Sequence, residues 1–172
     1  MEERLLRLST PRLILEPLVE EDREALLSAA CDPRVTKSYM FPEFASREQK
    51  DAFFERLKSI SETKERLLYA IHRDGAFLGF LNEVCKDGDS IEIGYVIVPD
   101  EWNKGYATEA FSAVIAELFR MGYRRVKAGH FVDNPASGRV MQKCGMTCLG
   151  IQETVEYRGE AYPCVDYVIE HP

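Results

Sequence analysis

The stretch Val96-Ile97-Val98-Pro99-Asp100-Glu101-Trp102-Asn103-Lys104-Gly105-Tyr106-Ala107-Thr108-Glu109 joins a strand to a helix through a short loop. Upstream, Ile91 to Val98 is apolar at every position but Glu92 and Gly94, the pattern of a central strand buried on both faces, and Pro99 ends it. Downstream, a long helix is predicted from near Thr108. Ala110, Phe111, Val114, Ile115, Leu118 and Phe119 form its apolar stripe, and Gly122 is its stop. The first N–H groups of a helix lack internal partners and carry the positive end of the dipole. Gly105 and Ala107 are small enough to let an anion reach that backbone. No Walker lysine with its Ser/Thr and no GxGxxG turn is present, which disfavours an NTPase or dinucleotide site. An anion site and an ordinary connecting loop both remain open on spacing alone.

Working outward, Leu13 to Leu18 reads as a first strand and Glu20 to Ala30 as a helix. Ser46 with Gln49 is a capping-box pattern, continued by Phe53, Phe54, Leu57 and Ile60 at helical spacing. Leu67–His72 and Phe77–Val84 read as strands joined by a turn at Asp74-Gly75. Arg125 to Val132 is β-rich. Asn134 is then a good N-cap and Pro135 a good first residue for a short helix ending at Cys144. Two closing strands, Ile151–Tyr157 and Tyr162–Ile169, flank Arg158-Gly159. Strands and helices alternate without repeats or linkers over 172 residues, so a single mixed α/β domain spanning 1–172 is expected.

The composition, 45% hydrophobic and 30% charged, is that of a globular chain. The net charge of −7 argues against general nucleic-acid or anionic-membrane binding. Residues 103–145 nevertheless carry +4, from seven bases (Lys104, Arg120, Arg124, Arg125, Lys127, Arg139, Lys143) and three acids, leaving −11 elsewhere. That segment is a local anion site or a solvated helix face. No apolar run approaches the roughly 18 residues of a membrane span. The opening Met1-Glu2-Glu3-Arg4 has no signal-peptide core behind it, so a cytoplasmic protein is expected. Five cysteines without CxxC spacing fit free thiols in a reducing compartment. His72, His130 and His171 are dispersed, so no metal site is expected.

Trp102-Asn-Lys-Gly-Tyr-Ala107 resembles the acetyl-CoA pyrophosphate loop of the GNAT N-acetyltransferases, with Trp102 where the family has Arg or Gln. That replacement is familiar in the subgroup resembling ribosomal-protein N-terminal (alanine/serine) acetyltransferases. Thr10-Pro-Arg-Leu-Ile-Leu-Glu-Pro-Leu18, Ile91-Glu-Ile-Gly-Tyr95, and Asn134-Pro-Ala-Ser137 followed by Lys143-Cys-Gly145 resemble further segments of that subgroup, in order. The resemblance implies the GNAT fold, a mixed, curved central sheet with helices on both faces. It also implies acetyl-CoA as co-substrate, its pyrophosphate on the backbone of Asn103, Lys104, Gly105, Tyr106, Ala107 and Thr108. The pantetheine arm would pair with the main chain of Val96, Ile97 and Val98, while Asn134 and Ser137 face the arm and the thioester sulfur. Asn134 fits the roles of N-cap and ligand contact equally well.

The implied reaction is direct attack of a primary amine on the thioester. At pH 7 a lysine amine is neutral roughly one time in 2,500, an α-amine about 14% of the time, so a base matters more for lysine-like acceptors. Glu92, interrupting an apolar strand, is the candidate base; its alternative is a structural carboxylate. Many family members protonate the leaving thiolate with a late-helix tyrosine, but Met141 occupies that position, and Ser137 is the replacement. Cys144 and Cys148 have no activating neighbour in sequence and are disfavoured as covalent nucleophiles. The resemblance places the acceptor between Tyr39, Met40 and Phe41 and the hairpin near Tyr157, Arg158 and Tyr162, aromatics that equally suit packing. A basic protein N-terminus, a polyamine or an aminoglycoside fits the acidic remainder, and the chain is a monomer or a homodimer. The rival readings are a non-catalytic acyl-CoA sensor and a phosphate-binding enzyme of another class.

Overall fold

The computed structural model describes residues 7–172, so the charged opening Met1-Glu2-Glu3-Arg4 lies outside the described residues. Thirteen elements follow one another: β1 (Leu8–Ser9), β2 (Ile14–Glu16), α1 (Arg23–Cys31), α2 (Pro33–Thr36), α3 (Arg47–Glu62), β3 (Leu68–Arg73), β4 (Ala76–Asp87), β5 (Ser90–Ile97), α4 (Tyr106–Arg120), β6 (Arg125–Phe131), α5 (Pro135–Lys143), β7 (Thr147–Tyr157) and β8 (Glu160–Glu170). Short 3-10 turns at Glu20–Asp22 and Pro99–Glu101 precede α1 and follow β5. The strands form one sheet in the order β1-β2-β3-β4-β5-β6-β8-β7, antiparallel throughout except between β5 and β6. The expected mixed, curved sheet with helices on both faces is what the chain builds.

Strand alternation sorts the apolar residues into two cores. Tyr69 and Ile71 of β3, Ile91, Ile93 and Ile97 of β5, and Val126 and Ala128 of β6 pack against Phe111, Val114 and Leu118 of α4 and Met141 of α5. On the opposite face, Leu68 and Ala70 of β3, Phe80 of β4 and Val96 of β5 meet Leu26 and Leu27 of α1, Val35 of α2, and Phe54 and Leu57 of α3. That second layer stops at β5. Glu92 and Gly94 therefore stand on a part of the face that no helix covers, and β5 is doubly buried only toward its end, not along its whole length as its composition suggests.

Local signals explain most boundaries. Ser46 Oγ accepts the Gln49 N–H at 3.2 Å, and Gln49 reaches back to the Ala45 N–H at 2.7 Å, one residue before a standard capping box. Asp74 (φ 51°) and Gly75 (φ 81°), and likewise Arg158 (φ 51°) and Gly159 (φ 80°), are paired left-handed residues that close tight hairpins. Helix α4 begins two residues earlier than expected because Gly105, at φ 81°, turns the chain into it. Strand β7 begins at Thr147, not Ile151, since register shifts after Cys148 and Ile151 hide its alternation. Asn134 caps α5 by position alone, as its side chain makes no cap hydrogen bond.

Helix α5 is held close to the sheet by its Gly138. A Cβ there would lie 2.7 Å from His130 Nε2 and 3.0 Å from the Tyr167 hydroxyl oxygen. His130 Nδ1 donates to the Phe131 carbonyl at 2.7 Å, and Tyr167 is buried, so neither ring has room to retreat. Gly138→Ala should lower stability by about 1–3 kcal/mol, read as a lower Tm with the secondary structure kept.

Buried His72 links the first turn to the sheet. Its Nε2 lies 2.8 Å from Asp22 Oδ1, and its Nδ1 lies 3.3 Å from Glu16 Oε1 without hydrogen-bond geometry. Burial pulls the His72 pKa down, but the hydrogen bond and charge of Asp22 and the charge of Glu16 outweigh it and raise it. The stabilisation is fully present below about pH 6.5, the unfolded value, and is lost as pH rises through the folded one. A Tm series from pH 5.5 to 8.5 should fall with rising pH in the wild type, and more gently in His72→Gln.

Candidate active site

The site begins where two strands separate. β5 and β6 pair only from Ser90–Arg125 to Glu92–Lys127, and beyond Glu92 the parallel ladder ends. The backbone of β5 alternates between its neighbours. Val98 donates to the Leu78 carbonyl at 2.8 Å, and Val96 stands opposite Phe80, so both turn their polar groups toward β4. Tyr95 and Ile97 turn theirs into the gap left by β6. Of the three strand residues expected to hold the pantetheine arm, only Ile97 thus offers its main chain to the gap, and Tyr95 joins it. The indole N–H of Trp102 donates to the Ile97 carbonyl at 2.7 Å, pinning the loop to the strand end.

The loop then makes two left-handed turns, at Asn103 (φ 61°) and Gly105 (φ 81°), before entering α4. Among the described residues, the N–H groups of Asn103 through Thr108 have no backbone acceptor; the first bond back from the helix is Glu109 N–H to Gly105 at 3.1 Å. Consecutive free amides at a helix start form an anion cradle. Asn103, Lys104 and Gly105 are exposed, and Ala107 and Thr108 half-buried. Tyr106 is buried, so only its backbone faces the cradle. Lys104 is ion-paired to Glu101 at 3.0 Å, while Arg139 and Lys143 lie exposed on α5.

The cradle is braced from behind by residues whose coupling the sequence conceals. Arg12 Nε donates to Glu109 Oε2 at 2.6 Å, its backbone N–H and the Thr10 hydroxyl donate to Oε1 at 2.9 and 2.6 Å, and Nη1 donates to the Lys104 carbonyl at 3.0 Å. The same guanidinium lies 4.6 Å above the Tyr106 ring, whose hydroxyl accepts from Arg73. Burial works to raise the Glu109 pKa, but the bonds from Thr10 and Arg12 prevail and hold it low. The Thr10-Pro-Arg12 and Thr108-Glu109 segments are one ionic clamp, which a separation of 97 positions between Arg12 and Glu109 hides.

Across the gap stands α5. Ser137 is half-buried, and its Oγ lies 2.8 Å from the Tyr95 hydroxyl; Asn134 is half-buried one turn earlier. Met141 is fully within the first core. Cys144 lies between α4 and α5, taking a weak bond from Ser112 at 3.4 Å, and burial pushes its thiol pKa up; Cys148 is exposed. A buried thiol with a raised pKa is a poor nucleophile.

Glu92 lies on the open face, half-buried, with Cys85 Sγ 3.5 Å from its Oε2 and Lys127 beside it on β6. Asp166 and Glu153 share that face; burial, then the charges of Glu153 and Glu92, push the Asp166 pKa up. The two segments expected to flank the acceptor do meet there. The Tyr157 hydroxyl lies 3.3 and 3.2 Å from the Tyr39 and Phe41 carbonyls, within reach of donating its proton to either, and Arg158 donates to Phe41 at 3.4 Å. Tyr39 donates to Asn82 at 2.6 Å beside Gly94, while Met40 is exposed. A surface hollow of about 560 Å³ between α1, α2 and α3 contains none of these residues. Among the described residues, no group of three His, Cys, Asp or Glu side chains is arranged to hold a metal ion.

Comparison with known proteins places this geometry. The acetyltransferase (GNAT) domain profile matches residues 12–147. The chain is 30% identical to the uncharacterized N-acetyltransferase YoaA of Bacillus subtilis (strain 168), over 96% of this chain and 97% of that one. It superposes on a GNAT-family acetyltransferase from Bacillus anthracis with a TM-score of 0.81 at 26% identity, covering 95% of this chain and 98% of the other. The ribosomal-protein acetyltransferase RimL in complex with coenzyme A shares the fold at 20% identity, with a TM-score of 0.80 and 94% and 95% coverage. The family profile spans β2, the cradle and α5: this chain belongs to the GNAT acetyltransferase family.

Proposed function

We infer that this acetyl-transferring enzyme moves the acetyl group of acetyl-CoA to a primary amine by direct attack in a ternary complex, a protein N-terminal α-amine being the favoured acceptor. The observation that carries the reading is the continuity of one groove. Free amides from Asn103 to Thr108 lead into the gap faced by the backbone of Tyr95 and the N–H of Ile97, and that gap ends beside Ser137. A cofactor with an anionic head, an amide-bearing arm and a thioester fits those three parts in that order. Val96 and Val98 serve it indirectly, through their bonds to β4.

Glu92 and Ser137 lie on opposite sides of the sheet, joined by the gap. An amine arriving over the open face, beside the Tyr39–Tyr157 contact, meets the thioester carbonyl from the side opposite α5. Its nitrogen bonds to the carbonyl carbon, Glu92 takes the surplus proton through a water, and the carbon–sulfur bond breaks toward Ser137. The Asn134 side chain makes no cap hydrogen bond, which leaves it available to the arm. The RimL fold match and the acidic open face both favour a cationic N-terminus as acceptor.

Two experiments test this. Gly105→Asp places negative charge in the cradle, whereas Gly105→Asn has the same shape and tolerates the same left-handed backbone. By calorimetry, the Asp variant should bind acetyl-CoA at least ten-fold more weakly than the Asn variant; equal affinities would remove the cradle from the cofactor site. Ser137→Ala should lower kcat for an Ala- or Ser-starting peptide by about one to two orders of magnitude, ~1.4–3 kcal/mol, with acetyl-CoA Kd unchanged.

A further inference from the structure

The groove contains one polar side chain that the sequence reading passes over. Tyr95 projects from β5 just where β6 has parted from it, its ring tilted against fully buried Phe111 at 5.1 Å. Its hydroxyl lies 2.8 Å from Ser137 Oγ and 3.0 Å from the Ser137 carbonyl. One phenol proton can serve only one of these acceptors. If it goes to the carbonyl, the Ser137 hydroxyl spends its own proton on the phenol oxygen. If it goes to Oγ, the serine proton is released to point elsewhere.

We propose that Tyr95 is a positioning residue: as the thiolate departs, its O–H turns onto Ser137 Oγ and directs the serine proton at the sulfur. The inference rests on the role given to Ser137 above. No bond to hydrogen breaks in this step. The carbon–sulfur electron pair stays on sulfur, the thiolate accepts the Ser137 O–H as a hydrogen bond, and Ser137 accepts that of Tyr95. Burial pushes the phenol pKa well up, against a smaller opposing effect of its bond to Ser137, so Tyr95 keeps its proton and acts by polarising its neighbour. Phe111 fixes the ring and Gly138 fixes α5, so the pair is preorganised before sulfur arrives.

The test reads the thiol of bound CoA itself and needs no acceptor. Its ultraviolet thiolate absorbance is titrated against pH in the protein–CoA complex, with the desulfo-CoA complex as blank for the protein's own cysteines and tyrosines. Ser137→Ala should raise the bound thiol pKa by about one unit and Tyr95→Phe by about half to one unit, with no further rise in the double variant. Ser137→Thr keeps the hydroxyl and should stay near wild type alone, but not when combined with Tyr95→Phe. Tm and CoA affinity verify that each variant folds and binds. If Ser137→Ala leaves the thiol pKa unchanged, the serine reading fails and takes this inference with it. If Ser137→Ala raises it but Tyr95→Phe does not, the positioning role alone is overturned. Equal effects of Tyr95→Phe with and without Ser137 would mean direct contact with sulfur, and would overturn it as well.

Discussion

Three residue pairs of parallel ladder join β5 to β6, and everything functional follows from the ladder stopping there. A strand in a sheet interior must find partners for its N–H and C=O groups. On its β4 side β5 is fully paired, but on the other side the groups of Tyr95 and Ile97 face a gap. One of them, the Ile97 carbonyl, is taken by the Trp102 indole. The rest form a strip of unspent polar backbone between two helices that cannot close over it. A ligand bearing amides along an extended arm completes that sheet where the protein does not.

The gap is kept open by rigid supports on both sides. On the α4 side, Arg12 bonds the Lys104 carbonyl and the Glu109 carboxylate together, so the cradle is tied to the chain between β1 and β2. The left-handed turns at Asn103 and Gly105 break the helical path backward into the loop, and the Lys104 carbonyl accepts from Arg12, not from the Thr108 N–H. Among the described residues, the amides from Asn103 to Thr108 are thereby left without a backbone acceptor. On the α5 side, Gly138 allows His130 and Tyr167 to approach at distances no side chain would permit. Replacing flexible water by such fixed dipoles is how a site stabilises charge without reorganising.

The two faces of the sheet do different work because the helices cover them unequally. Helices α4 and α5 seal the first face with a continuous core from Leu13 to Tyr167. Helices α1 to α3 cover the second only as far as Phe80 and Val96, leaving Glu92, Lys127, Glu153 and Asp166 around an uncovered patch. The hairpin of β7 and β8 folds over its far rim through Tyr157, Arg158 and the 39–41 backbone. Three carboxylates gather around Lys127 on the open face, whereas Arg139 and Lys143 lie exposed on α5 across the sheet.

Much of this was legible in the chain. Alternating apolar runs, the Asp74-Gly75 turn, Pro99, Gly105 and Gly122 locate the strands, the loop and α4, because periodicity and positive φ are local properties. The four motifs mark the loop before α4 and the late helix α5 from the sequence alone. What the sequence could not disclose are relations between distant positions. The Arg12–Glu109 clamp, the Asp22–His72 pair and the Tyr95–Ser137 contact span 97, 50 and 42 residues. The direction of a backbone carbonyl was equally hidden: composition marks Ile91–Val98 as a strand, but which residues face the gap depends on the register with β4. Covalent spacing encodes local conformation; the meeting of Tyr95 with Ser137 was decided only when α4 and α5 packed on the same face of a sheet whose middle strands had parted.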